Sequence, residues 1–280
     1  MTTLTIGDVE IIALIDGAAG LLLKLDEVFP TIKPEQWEAF YRRYPLVFAD
    51  TATWHISYNC YLVRIHDYVC LVDTGVGPGP YMGQLHGTLL DALRAHEINP
   101  EDVNTVFLTH AHSDHVGLNL NAAGRPTFPN ARYVMDQSEW DFYQQPQVKM
   151  SIAPYIDRML TPLKQCGVLD LLSGEQPLAE ELFALPTPGH SPGHMSLMIH
   201  SKGQKALIGG DVFIHPAQVS RMEWCSIFDM DEKELIATRK HFLDRLETEN
   251  IVLASGHFPY PGFGRIVCKG GCYYWETREE

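Results

Sequence analysis

The segment 109–115, which reads Thr-His-Ala-His-Ser-Asp-His, holds four metal-ligating side chains within six residues. It directly follows a short apolar, β-branched run that predicts a buried strand, so these side chains begin at a rigid strand end. His110 and His112 are separated by one residue and can face the same point, whereas Asp114 and His115 can face a second point nearby. The spacing therefore predicts a site for two divalent cations.

Three further donors stand in similar contexts along the chain. His190 lies in the turn-rich segment 187–194, just before another predicted strand. Asp211 follows an apolar run and two glycines, which allow the backbone to approach a site closely. His257 follows an apolar run in the same manner. Together with the first cluster, these residues make a ligand set.

Imidazole and carboxylate ligands suit zinc, and manganese, cobalt and iron accept the same shell. We therefore expect two divalent metal ions, with Zn²⁺ as the leading candidate. Two adjacent cations can share a water and lower its pKa to about 7, which gives a hydroxide nucleophile. This chemistry predicts a hydrolase that needs no serine or cysteine nucleophile. Asp114 is also a candidate to orient the hydroxide or to pass a proton to the leaving group.

The elements that must position these residues can be read from the hydrophobic pattern. Apolar, β-branched runs predict strands at 9–15, 59–65, 68–72, 105–108, 132–135, 195–200, 206–208, 251–254, 264–267 and 273–275. Helical periodicity predicts helices at 35–41, 81–96, 138–144 and 231–247. Strand clusters that alternate with single helices favour two sheets with helices outside them. We expect a single domain, 1–280, with an irregular, aromatic N-terminal extension at about 18–54.

The composition argues against nucleic-acid and membrane partners. Lysine and arginine total 21 and acidic residues 35, a formal charge of −14 that repels phosphate backbones. No basic start followed by a long apolar run indicates a signal peptide, and no stretch of about 18 apolar residues indicates a membrane span. The six cysteines form no CxxC pair, which disfavours structural zinc. We expect a cytoplasmic protein with reduced thiols.

The ligand set and the element Leu71-Val-Asp-Thr-Gly resemble the metallo-β-lactamase superfamily from about residue 59 to the C-terminus. The resemblance implies an α/β (α+β) fold, an αββα sandwich of two mixed β-sheets flanked by helices, with a dinuclear site at one edge. It implies that the first metal is bound by His110, His112 and His190, that the second is bound by Asp114, His115 and His257, and that Asp211 bridges both. Asp73 resembles a residue that supports a ligand.

The segments 210–216 and 257–266 are similar to methyl parathion hydrolase and its bacterial lactonase relatives. This similarity implies opening of a lactone or cleavage of an ester, with N-acyl homoserine lactones as the leading substrate class, or else phosphotriester hydrolysis. The N-acyl homoserine lactonases often carry a tyrosine three residues after the bridging aspartate, where this chain has Ile214. The departure leaves two readings open, an apolar pocket or a proton donor such as His215. A non-catalytic metal-binding protein is the alternative from another class.

Apolar residues near these segments are expected to line the substrate pocket; they are Trp54, Phe213, Ile214, Met222 and Trp224. The expected partner is a small-molecule lactone or ester. The superfamily resemblance also implies a possible homodimer.

Overall fold

The computed structural model describes residues 2–17, 20–83 and 85–277. The strands are β1 (Thr3–Ile6), β2 (Val9–Ile15), β3 (Leu21–Lys24), β4 (Phe48–Asp50), β5 (Thr53–Ile56), β6 (Asn59–Ile65), β7 (Tyr68–Val72), β8 (Thr105–Phe107), β9 (Arg132–Asp136), β10 (Leu169–Leu172), β11 (Gln176–Ala179), β12 (Leu182–Pro186), β13 (Met195–Ser201), β14 (Gln204–Ile208), β15 (Val252–Ala254), β16 (Phe263–Lys269) and β17 (Cys272–Thr277). The helices are α1 (Leu25–Val28), α2 (Glu38–Tyr41), α3 (Leu89–Ala95), α4 (Gln137–Gln144), α5 (Pro146–Ser151), α6 (Ile156–Met159), α7 (Thr161–Gln165), α8 (Ala217–Ser220) and α9 (Glu232–Thr248). Each of the ten predicted strands overlaps an observed one.

Two seven-stranded sheets form the centre of the fold. The first has the order β1-β2-β6-β7-β8-β9-β10, and the second the order β11-β12-β13-β14-β15-β16-β17. Both sheets are mixed: β7, β8, β9 and β10 run parallel to one another, and β14 is parallel to β15, whereas the other pairs are antiparallel. The third sheet, β3-β5-β4, is small and antiparallel.

Successive side chains along each strand point to opposite faces of its sheet, and this alternation divides the core into layers. In β2, Ile11 and Ala13 pack in the cluster between the two large sheets, whereas Ile12 and Leu14 pack in the cluster formed with helices α3 to α7. In β13, Met198 turns outward to the cluster that contains the apolar face of α9. The layers therefore run helix, sheet, sheet, helix, which confirms the predicted αββα sandwich.

The helix α9 matches its prediction closely. The side chain of Asp231 accepts a hydrogen bond from the backbone N–H of Glu234 at 2.9 Å and so caps the helix. Phe242, Leu243 and Leu246 lie on the buried face.

The predicted helix 81–96 begins only at Leu89. Met82 and Gly83 both have positive φ angles, which interrupts a right-handed helix before its first turn. The carboxylate of Asp16 instead accepts the backbone N–H groups of Thr88 and Leu89, and this long-range cap sets the start of α3.

The stretch 18–54, expected to be irregular, contains the strands β3 and β4, short helices and the start of β5. Ala18 and Ala19 lie outside the described residues. The aromatic side chains of this stretch, among them Phe29, Trp37 and Phe40, are buried against the second sheet and α9. The single-domain boundary 1–280 stays a prediction. In the part of the chain that the structure describes, no helix combines the length and apolar character needed to cross a membrane.

Candidate dinuclear metal centre

The seven predicted donors all lie in loops that follow strands. The loop 109–115 follows β8, His190 lies between β12 and β13, Asp211 follows β14, and His257 follows β15. These loops converge at one edge of the sandwich, because ligand atoms within the sets His110–His112–His190, His110–His115–Asp211 and Asp114–His115–His257 lie within 4.8 Å of one another.

Three histidine nitrogens meet on one side of the cluster. His110 Nε2 and His190 Nε2 each lie 3.0 Å from His112 Nδ1. Asp211 Oδ2 lies 3.3 Å from His190 Nε2 and 3.9 Å from His110 Nε2. This half of the cluster offers three nitrogens and one carboxylate oxygen.

A second group of donors meets on the other side of Asp211. Asp211 Oδ1 lies 3.5 Å from His115 Nε2, and Asp211 Oδ2 lies 3.2 Å from His257 Nε2. Asp114 Oδ2 lies 3.5 Å from His257 Nε2 and 3.8 Å from His115 Nε2. Asp211 therefore stands between the two groups, where it can serve both.

The outer nitrogens of two histidines are held by one network around Asp73. This residue follows β7 with a φ of 61°, and its Oδ2 lies 2.7 Å from His115 Nδ1. The same carboxylate accepts the N–H and the hydroxyl of Thr109, each at 2.8 Å, so the Thr109 oxygen is free to accept from His110 Nδ1 at 3.0 Å. Asp73 therefore fixes the orientation of His110 and His115.

The outer nitrogens of His257 and His190 are held independently. His257 Nδ1 donates to the backbone oxygen of Ser57 at 2.9 Å, and His190 Nδ1 lies 2.6 Å from Asp229 Oδ1. Asp229 Oδ2 lies 3.9 Å from the fully buried guanidinium of Arg239. Arg239 also donates to backbone oxygens between residues 212 and 224, so it ties this loop to α9.

These bonds place the protons of the His110, His115, His190 and His257 rings on their outer nitrogens, so their inner nitrogens present lone pairs to the cluster. His115 Nε2 and Asp211 Oδ1 are buried without a hydrogen-bond partner among the described residues. Burial, with neighbouring histidines, holds the pKa of His110 well below its usual value and lowers that of His112 to about 3. Such a set of lone pairs and carboxylates fits two divalent cations.

One buried residue, Glu139, braces the ligand loops and was missed from the sequence. Glu139 in α4 accepts the N–H of Ala111 at 2.8 Å, the hydroxyl of Ser191 at 2.8 Å and the N–H of Gly193 at 2.9 Å. It therefore joins the loop that carries His110 to the loop that carries His190. Its spacing in the sequence carries no signal, because the loops meet it only in three dimensions.

His194, the second histidine of the 187–194 turn, is a neighbour of the cluster. Its Nε2 accepts the backbone N–H of Asp211 at 2.9 Å, and its Nδ1 lies 2.8 Å from the Thr187 hydroxyl. Gly210 allows this contact, because a Cβ at that position would lie 2.6 Å from His194 Nε2. The expectation that a glycine before Asp211 permits close backbone approach is confirmed.

The donor cluster forms the floor of a cavity of about 1420 Å³. His112, Asp114, His190, Asp211 and His257 reach this floor. Most of the wall is apolar or aromatic, with Leu23, Ile56, Tyr58, Val76, Tyr81, Phe142, Tyr155 and Met159 among its residues. The mouth is apolar too, because Met82, Ile152 and Ile227 line the cavity while more than half exposed.

Two of the five predicted pocket residues, Trp54 and Ile214, line this cavity. The structure does not bring the other three to the wall. Phe213 and Trp224 are buried in the core beside α9, and Met222 packs against that core. Arg239 of α9 explains this placement, because it donates hydrogen bonds to the backbone oxygens of residues 212, 222 and 224. These bonds hold the loop 212–224 against α9.

The structure contradicts the expectation that His215 donates a proton at the site. Its ring is fully buried among aromatic rings, at 5.0 Å from Trp37, 5.3 Å from Phe48 and 5.5 Å from Trp54 between centroids. Its Nδ1 accepts the N–H of Ala217 at 3.1 Å. Burial lowers the pKa of His215 to about 3, so the ring is neutral at physiological pH.

Residues 55–244 match the family model of the metallo-beta-lactamase superfamily. This match covers more than half of the chain, and the fold and the donor cluster agree with it. The chain belongs to the metallo-beta-lactamase superfamily.

Curated relatives include the uncharacterized protein YobT of Bacillus subtilis (strain 168), 33% identical over 162 residues, which cover 55% of this chain and 61% of YobT. The N-acyl homoserine lactonase AiiA of Bacillus thuringiensis subsp. kurstaki is 24% identical over 162 residues, 51% of this chain and 58% of that protein. The chain thus spans about three fifths of the length of these relatives.

Solved structures are similar over almost the whole chain. The hydrolase AbOPH in the beta lactamase superfamily has a TM-score of 0.87 at 25% identity and covers 99% of this chain and 97% of its own. The dizinc quorum-quenching lactonase AidC, in complex with a product, has a TM-score of 0.84 at 22% identity with the same coverage. At that identity, the likeness to AidC shows the fold alone.

Proposed function

We propose that this protein is a dinuclear metal-dependent hydrolase that opens the lactone ring of N-acyl homoserine lactones. The observation that carries the proposal is the convergence of seven donors at the base of a large, mainly apolar cavity, whose floor five of them reach. Similarity to N-acyl homoserine lactonases over about half of the chain supports the substrate class.

The first cation would be held by His110, His112 and His190, the second by Asp114, His115 and His257, and Asp211 would contact both. When bound, a pair of divalent cations lowers the pKa of a shared water and polarises the carbonyl of the substrate. Zn²⁺ is the first candidate, because imidazole and carboxylate form its preferred shell, although Mn, Co or Fe fit the same donors.

The residues of the chain supply orientation and exclusion of water. Asp73 and Asp229 hold the rings of His115 and His190 in one orientation. Asp114, which lines the cavity, would orient the hydroxide or pass a proton to the leaving group. The apolar wall, with Ile56, Val76 and Phe142, offers a surface for the acyl chain of the substrate.

A direct test uses metal-loaded protein with N-acyl homoserine lactones of increasing chain length, followed by the release of acid. Asp211→Asn should abolish turnover, because it weakens contact with both cations. Asp170→Asn changes an exposed carboxylate of β10 that is paired with Arg132 of β9. This variant is the control and should retain wild-type rates. Absence of lactone opening by the wild-type protein would refute the proposal.

Phosphotriester hydrolysis is a second candidate, and Ile214 favours it. This side chain lines the cavity where the related lactonases often carry a tyrosine, so the wall there is apolar and suits a neutral triester. A screen with p-nitrophenyl triesters separates the two activities. A rate on triesters that exceeds the rate on lactones would make this the main function.

The non-catalytic alternative has a different expected result. A metal-binding protein without activity would hold both cations and turn over neither lactones nor triesters. The continuous cavity above the donors argues for catalysis, because a storage or sensing site needs no space for a substrate. The small-molecule partner, the homodimer and the cytoplasmic location stay predictions.

A further inference from the structure

Opening of a lactone leaves negative charge on an alkoxide oxygen, and a hydrogen-bond donor placed at that oxygen stabilises the charge as it develops. Neither residue suggested by the sequence supplies this donor. Ile214 has no polar group, and the ring of His215 lies in the aromatic core. The phenols that line the cavity are the next candidates for this donor.

Among the wall residues next to the donor cluster, Tyr58 is held most firmly at the floor. It lies between β5 and β6, and its ring meets that of His257 edge to face, with centroids 5.2 Å apart at 89°. The residue is 3% exposed. It lines the same cavity as Asp114, Asp211 and His257.

The backbone on both sides of Tyr58 is fixed to the site. The backbone oxygen of Ser57 accepts from His257 Nδ1 at 2.9 Å, and the N–H of Asn59 donates to Gly256 at 2.8 Å. The oxygen of Tyr58 itself accepts the N–H of Asp16 at 2.8 Å. Tyr58 is therefore positioned by the same bonds that position a candidate ligand, and such preorganisation favours a catalytic role.

The other phenols of the wall are placed differently. Tyr155 already donates its hydroxyl to the backbone oxygen of Ala111 at 3.0 Å. Tyr81 packs edge to face on Tyr58 with centroids 5.6 Å apart. Its hydroxyl interacts both with Ser113 in the ligand loop and with the hydroxyl of Tyr58. The ordinary pKa of a tyrosine phenol is about 10, so Tyr58 keeps its proton and remains a donor at neutral pH.

We propose that Tyr58 is a catalytic residue whose hydroxyl donates a hydrogen bond to the ring oxygen that leaves when the lactone opens, a role that rests on the proposed function. Tyr81 supports it by packing against its ring. The hydroxide oxygen bonds to the carbonyl carbon as the ring C–O bond breaks, and the proton of the new carboxyl group passes through Asp114 to the alkoxide. Tyr58 stabilises the charge and retains its own proton.

The test compares Tyr58→Phe with wild type on two substrates that share an acyl group: a lactone with an alkoxide leaving group and a p-nitrophenyl ester. We expect kcat on the lactone to fall roughly 10- to 100-fold. On the ester, whose leaving group needs no donor, we expect a change of less than about 3-fold. Tyr68→Phe, which removes a hydroxyl that is bound to Thr105 and does not line the cavity, should match wild type on both.

A second readout does not depend on turnover. Titration calorimetry with the ring-opened N-acyl homoserine should show affinity weakened about 10-fold in Tyr58→Phe, with metal content and melting temperature unchanged. Equal losses on lactone and ester, or unchanged affinity for the product, would overturn the role of Tyr58 alone. Absence of wild-type turnover on lactone and ester would overturn the proposed function, and this role with it.

Discussion

Replacement of His215 by phenylalanine tests whether this histidine is a structural residue of the core or a catalytic residue of the site. The pKa of His215 is lowered to about 3 by burial, whereas in the unfolded chain it returns to about 6.5. As pH falls below 6.5, the unfolded chain gains a proton that the folded chain does not, so stability is complete above this pH and declines below it. At pH 5 the loss is about 2 kcal/mol.

Urea denaturation followed by tryptophan fluorescence measures this effect at pH 7.5 and at pH 5. In the wild type, the free energy of unfolding includes the loss from His215 along with contributions from other histidines. His215→Phe removes only the contribution of His215. The difference between the free energies of unfolding at pH 7.5 and at pH 5 should therefore shrink by about 2 kcal/mol.

The activity of His215→Phe is the second half of the prediction. The structure places the ring in the aromatic core, away from the cavity wall, so we expect lactone turnover at pH 7.5 within about 3-fold of wild type. Loss of a general acid would cost roughly 100-fold or more. A folded variant with such a loss, or an unchanged dependence of stability on pH, would refute this placement.

Two other substitutions test the site and its mouth. Asp229→Asn should weaken binding of the first cation roughly 10- to 100-fold, because His190 loses its carboxylate partner. Competition with a chromogenic chelator measures the metal affinity, and an affinity equal to that of wild type would contradict this prediction. Ile227→Glu should raise KM for long-chain lactones roughly 10-fold by placing a charge at the apolar mouth. Leu46→Glu, an exposed position that does not line the cavity, is its control, and an equal rise in both variants would argue against a chain-binding mouth.

Much of the fold and all seven candidate donors could be predicted from the sequence, because the signals are local. The loop 109–115 brings four donors together within one turn of chain, and a strand precedes it. The later donors follow apolar runs in the same manner, and parallel or adjacent strand ends meet at one edge of a sandwich. Local pattern is enough where each donor follows its own strand.

The residues that were missed or misplaced depend on contacts between distant parts of the chain. Phe213 and Trp224 look like pocket residues until Arg239 draws their loop to α9. Tyr58 reaches the floor because residues 57–59 bond to the segment around His257, almost 200 positions away. Periodicity and spacing carry no information about such pairings.

Metal content measured together with lactone turnover tests the central claim most directly. Purified protein should contain two equivalents of a divalent metal for each chain by mass spectrometry and should open an N-acyl homoserine lactone. Chelation should remove metal and activity in parallel, and added Zn²⁺ should restore both. Fewer than one equivalent in active protein, or turnover that persists after chelation, would contradict the account.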